Sequence, residues 1–184
     1  MLMKNWLLLL LFILCACTFN ACNTATPENY FDRAVLNVNM LHGFASNGLQ
    51  RELESPSVKM LEGSNDKFAP MKRKEVIDEK IQFIEANAEE VRQLKQTDDT
   101  KEMLQASIAL YDFALPVYKN EYTQLAKLYD DGASAEQIQA LEKSIEEKYS
   151  SKFGELFDKL TTAGKQYAEK NNIKVNWDVR TSPQ

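Results

Sequence analysis

The apolar positions of this chain recur every three or four residues over four long stretches, the spacing of one face of an α-helix. The first stretch predicts a helix over about 27–54, with Phe31, Ala34, Val38, Leu41, Ala45, Leu49 and Leu53 on one stripe. Thr26 is placed to cap it, Pro27 takes the first helical position, and Ser55-Pro56 stops it. Gly43 and Gly48 lie inside and weaken its second half. Residues 57–70, with Gly63-Ser64-Asn65-Asp66 and Pro70, read as a long connection. A second helix over about 71–96 follows from Ile77, Ile81, Ile84, Ala88 and Val91. The third, over about 99–130, has the cleanest pattern. Leu104, Ile108, Tyr111, Leu115, Tyr118, Tyr122, Leu125 and Tyr129 alternate steps of four and three, as a bundle seam does. Asp99 and Glu102 have capping-box spacing at its start, and Asp131-Gly132 ends it. Ser134 with Gln137 opens the fourth, over about 134–170, whose stripe runs from Ile138 and Leu141 through Ile145, Tyr149, Phe153, Leu156, Leu160 and Ala163 to Tyr167. Unbroken, that helix would run about 55 Å.

Short connections make the last three helices antiparallel neighbours, and the first must close the core, because three stripes alone would leave an apolar groove in water. There is no strand alternation over the body and no internal repeat. The pattern therefore predicts an all-α fold. It is an up-and-down antiparallel four-helix bundle over 27–170, with a long C-terminal helix and a short extended tail over 171–184 that Trp177 anchors.

The N-terminus follows a different rule. Lys4 precedes an unbroken apolar run, Trp6–Leu14, too short for the ~20 residues that span a bilayer. A charged start, a short apolar core and small residues after it predict a signal peptide over 1–16. Leu14-Cys15-Ala16-Cys17 fits a lipobox, an aliphatic residue three before a cysteine and a small residue just before it. Cys17 is the expected lipidation site, its thiol taking the diacylglyceryl group, and Cys22, after Ala21, is the runner-up. All three cysteines fall within 15–22, so no disulfide framework remains for the body. Residues 17–26 are rich in Asn and Thr and read as a tether of roughly 15–20 Å root-mean-square span. Thr18 stands where an Asp would signal inner-membrane retention, which favours the outer membrane, facing the periplasm or the cell surface.

Beyond that start, Ala109-Leu110-Tyr111, Asn120-Glu121-Tyr122, Leu125-Ala126-Lys127-Leu128, Phe153 and Tyr167-Ala168-Glu169-Lys170 resemble a family of bacterial surface lipoproteins typical of spirochaetes and Bacteroidetes. Its members combine a lipidated N-terminus, a helical body and a last helix ending in aromatic-Ala-x-Lys. The resemblance spans about residues 75–175 and implies location and fold. It carries over no catalytic or ligand residue.

Composition narrows the functions. A length of 184 residues suits one domain, and 44% hydrophobic residues exclude wholesale disorder. Lys+Arg 22 against Asp+Glu 27, a net charge of −5, argues against a nucleic-acid partner. His42 is the single histidine; with no Glu-x-x-His pair there is no di-iron constellation, and Ser46 one turn on lies on no turn that would expose it as a nucleophile. The acidic pairs Glu89-Glu90, Asp98-Asp99, Asp130-Asp131 and Glu146-Glu147 lack the alternating loop that calcium needs. No haem-attachment sequence or phosphate-cradling glycine loop occurs. Two features stand out. Tyr111, Tyr118, Tyr122 and Tyr129 form a stripe whose hydroxyls each need a partner, and they either fill space between helices or line a ligand cavity. Pro116 lies inside the third helix and predicts a kink there.

The expected protein is therefore a non-enzymatic, membrane-anchored binding or structural module. It carries no catalytic residue, metal or cofactor, touches the membrane through its N-terminal lipid, and binds a protein, peptide or envelope polymer. The alternative is a carrier of a small ligand or metal that uses the tyrosine-lined interior near Pro116.

Overall fold

The computed structural model describes residues 25–177. Cys17 and Cys22 lie outside them, as do the signal peptide and most of the tether. The fold is mostly helical. Helices α1 (Pro27–Ala34) and α2 (Asn47–Glu54) flank a 3₁₀ segment, Leu36–Leu41; a two-stranded antiparallel ribbon, β1 (Val58–Met60) and β2 (Phe68–Pro70), comes next. Four helices follow: α3 (Arg73–Gln93), α4 (Lys101–Val117), α5 (Thr123–Asp130) and α6 (Ala135–Lys170), with a π-helical turn, Tyr118–Tyr122, joining α4 to α5.

The predicted helix over 27–54 is thus three pieces. Leu36-Asn37-Val38-Asn39 is poor in helix formers, and the chain tightens there to 3₁₀ geometry. It then turns at Gly43, whose φ is +86°, and at Ala45, whose φ is +48°. The stripe survives the break: Phe31, Ala34, Val38, Leu41, Ala45, Leu49 and Leu53 are all buried. The connection over 57–70 contains the ribbon, a pairing too short for alternation to reveal. Asp99 and Glu102 form no capping box, because α4 begins one residue later behind Thr100 and the Asp99 carboxylate turns to Lys170 and Asn171. The Lys170 ammonium holds that carboxyl below its usual range. Thr26 and Ser134 do cap α1 and α6, and Gln137 completes the second box.

Side-chain pairs fix the direction of each stretch against the next. Arg33 faces Glu90 and Lys80 faces Glu52, so residues 27–54 run against α3. Arg92 meets Asp112 and Lys119 meets Glu85, so α3 runs against α4 and its continuation. Tyr129 donates to Glu142 at 2.8 Å at one end, and Asp99 meets Lys170 at the other, so α6 runs back along α5 and α4. The exposed ion pairs among these contribute little stability individually. The burial of Phe31, Leu41, Leu53, Ile77, Ile84, Leu104, Leu110 and Leu160 between the stretches does the holding. Trp177 packs edge-on against Phe31 with ring centres 5.8 Å apart, and Lys165 lies over its face, so the tail is pinned to α1 and α6.

Among the described residues, no helix is long and apolar enough to cross a membrane.

Candidate functional site

Just after Pro116 the third stretch widens. Proline has no N–H to give the Asp112 carbonyl, and the extra room is taken up just downstream as the π turn Tyr118–Tyr122. Side-chain bonds reinforce the wider turn, whose Thr123 N–H still donates to the Tyr118 carbonyl. Asn120 Nδ2 donates to the Pro116 carbonyl at 2.9 Å, and Thr123 Oγ1 donates to the Tyr118 carbonyl at 3.0 Å.

This turn presents Tyr118 and Tyr122 to the loop after the 3₁₀ segment. The rings of the two tyrosines lie 4.9 Å apart, and Phe44 inserts beside them, 5.7 and 5.9 Å from their centres. Phe44 also meets Phe153 at 4.6 Å and Phe113 at 6.1 Å, so one loop residue ties together α4, the π turn and α6. The loop is held from its backbone too. The Ala45 N–H donates to the Tyr122 hydroxyl at 2.7 Å in a buried bond. A left-handed alanine and a π turn, each unfavourable alone, therefore meet through one hydrogen bond.

Beside Tyr122 a cleft of about 240 Å³ opens between the loop, α5 and α6. Ala45, Tyr122, Leu125 and Ile145 form its apolar floor, and Ser46, Gln50, Gln139, Glu142 and Glu146 its polar rim. Burial pushes the Glu142 carboxyl above its usual range, against the bond it accepts from Tyr129. The Tyr122 phenol is pushed up to about 12 by the same cause, eased by the Ala45 bond.

The four tyrosines of the predicted cavity do not converge on one space. Tyr122 lines the cleft, and Tyr129 reaches its rim through Glu142. Tyr118 is fully buried behind Tyr122, and Tyr111 stands a further two turns down α4. The hydroxyls of Tyr111 and Tyr118, with that of Ser107, are buried and have no hydrogen-bond partner among the described residues. Burial raises both phenols far above their ordinary value.

These hydroxyls make opposite predictions. Tyr122→Phe strands the buried Ala45 N–H and is expected to cost about 1–3 kcal/mol. Tyr118→Phe removes a buried polar atom that has no partner, and is expected to be neutral or stabilising. Urea unfolding of the two variants checks the pair, and equal losses would contradict the assignment of the bond.

His42 is exposed at the end of the 3₁₀ segment, and Ser46 Oγ caps α2 by accepting from the Gly48 N–H at 3.3 Å. No nucleophile and base are brought together there. At least one member of each acidic pair is committed elsewhere: Glu90 faces Arg33, Glu89 accepts from Gln93, Asp99 faces Lys170, Glu147 faces Lys143, and Asp130 caps α3 by accepting from the Arg73 and Lys74 N–H groups at 2.9 and 3.0 Å. Among the described residues, no group of three His, Cys, Asp or Glu is placed to hold a metal ion.

A second surface escaped the sequence pattern altogether. The ribbon register sets Val58 opposite Pro70 and Met60 opposite Phe68, so these four side chains share one face. That face is open to solvent, with Val58 62%, Met60 51% and Phe68 57% exposed. On the other face Lys59 reaches Glu75 of α3, which orients the ribbon against the body. The ribbon stands at the Arg73 end of α3. Tyr30 donates to the Lys95 carbonyl, so Pro27 stands at the opposite end, about 31 Å along the helix.

No protein-family model, curated protein or solved structure matches this chain.

Proposed function

We propose that this chain is a bacterial envelope lipoprotein, anchored through Cys17 with Cys22 as the second candidate, and that it is a non-enzymatic binding module. Its helices are read as an up-and-down antiparallel four-helix bundle in which the broken segment 27–54 takes the place of the first helix. The antiparallel sense of each neighbouring pair supports that reading. The reading belongs with the resemblance to bacterial surface lipoproteins and with an outer-membrane location.

One observation carries the binding role: the apolar face of Val58, Met60, Phe68 and Pro70 is left in water at the end of the molecule away from Pro27. Monomeric proteins keep such patches small unless something covers them. With a lipid on Cys17, the tether would enter at the Pro27 end, and the ribbon would face away from the membrane. The intact mass of the membrane-extracted protein tests the anchor. A lipid-sized mass is expected in the full chain and in Cys22→Ser, and its loss in Cys17→Ser; no lipid in any of the three sinks the anchored reading.

A small-ligand carrier is the second reading, favoured by three buried hydroxyls without a partner among the described residues, those of Ser107 and Tyr111 in α4 and of Tyr118 in the π turn. A carrier is expected to show a bound species in native mass spectrometry, and a higher melting temperature with ligand than without. An interior that holds nothing and a melting temperature that no small molecule moves would remove this reading.

A further inference from the structure

We propose that the chain pairs with a second copy of itself through the ribbon, the acidic turn of each ribbon seating in the basic cleft at the base of the other. The inference rests on the ribbon being the binding face and names its occupant. Two features carry it.

The first is area. Val58, Met60, Phe68 and Pro70, with Leu61 (41% exposed) at the edge, leave an apolar face on the order of 400 Å² on one protomer, within the range of the largest patch of an ordinary monomer, which is often functional. Two such faces in contact bury about 800 Å², and their charged rims bring the total to about 1,000 Å², the lower bound of a specific interface. A flat face of this kind is suited to another flat face.

The second is charge. The turn of the ribbon carries Glu62 and Asp66 with Lys67, and the Leu61 N–H to Lys67 carbonyl bond closes it. At the base, Lys72, Arg73, Lys74 and Lys127 outnumber Asp130 and Asp131 around a cleft of about 630 Å³. Asp130 is turned to the first N–H groups of α3 and to Arg73, and Lys74 is paired with Asp78, which among the described residues leaves Lys72 and Lys127, against Asp131 alone, to meet an incoming carboxylate. Lys127 has no ion-pair partner among the described residues. A basic cleft in a chain of net charge −5 attracts a particular kind of partner, and the turn that the same chain carries is that kind. The strand from Ser57 to Leu61 spans about 15 Å, so a two-fold axis that crosses two ribbons antiparallel lays turn over base twice, in one isologous interface.

Charge reversal in the full chain tests it. Glu62→Lys with Asp66→Lys reverses the turn, and Lys72→Glu with Lys127→Glu reverses the cleft. Sedimentation equilibrium is expected to show each variant alone self-associating about tenfold more weakly than the wild type, and an equimolar mixture recovering wild-type association, since every contact then joins opposite charges. No recovery on mixing, or a wild-type chain that stays monomeric at every concentration, overturns the proposal. Phe68→Asp is expected to abolish association while circular dichroism stays unchanged, because the site is exposed. A photo-crosslinking residue at Val58 in intact cells separates this inference from the reading beneath it. An adduct of twice the chain mass supports both; an adduct of any other mass overturns the second copy and keeps the binding module; no adduct overturns both.

Discussion

Phe44→Ala is expected to lower stability by about 3–5 kcal/mol, the range for emptying a buried aromatic site. The ring is 3% exposed and touches Phe113, Tyr118, Tyr122 and Phe153, so its removal leaves a space bordered by α4, the π turn and α6 at once. Those walls cannot close in together, because each belongs to a long helix packed along its length. Phe44→Leu keeps most of the volume and is expected to cost about 1–2 kcal/mol. Urea unfolding gives both numbers, and near-ultraviolet circular dichroism should lose aromatic signal in the alanine variant. A loss under about 1 kcal/mol would mean that the loop, rather than the ring, carries the contact.

Gly43→Ala is expected to cost about 2–4 kcal/mol, from two sources that neighbouring variants separate. Its φ of +86° disfavours any side chain, and an added Cβ would stand 2.8 Å from the Leu49 nitrogen and 3.0 Å from the Gly48 carbonyl carbon. Gly132→Ala shares the first problem alone: its φ is +69° with nothing within 4 Å, and about 1 kcal/mol is expected. Gly48→Ala shares the second, its Cβ falling 2.7 Å from the Gly43 Cα, a backbone atom that cannot swing aside. The order Gly43 > Gly48 > Gly132 in thermal unfolding is the expected result. A Gly43 variant no worse than the Gly132 one would show that the two turns do not press together.

The stripes were legible because burial follows period. Even where residues 27–54 break, Val38, Leu41, Ala45 and Leu49 stay inside, since a 3₁₀ segment and a tight turn keep the chain on the same side of the molecule. What the pattern hid is non-local. Gly43 and Gly48 looked like weak points in a helix; their meaning lies in an approach between two backbones, which only the folded chain reveals. Phe44 is off the stripe of its own stretch and finds its partners on two others. The tyrosines were marked correctly as unusual, but their spacing says nothing about which hydroxyl meets Ala45 and which meets nothing. The ribbon is three residues a side, below the length at which alternation is distinguishable from chance, and its exposed apolar face breaks the rule that the rest of the reading used.

Asp130 closes the first turn of α3 from a point 57 residues further along the chain. Locally, α3 starts behind Lys72, whose side chain cannot accept a hydrogen bond, and Glu75 covers only the Lys72 N–H. Its own cap residues therefore leave the N–H groups of its first turn to be satisfied from elsewhere. Its leading turn becomes secure only when the chain has run to the end of α3, back along α4 and α5, and returned Asp130 to it. The ribbon leans on that turn through Lys59 and Glu75, so its stance depends on a carboxylate that lies two helices further on in the sequence.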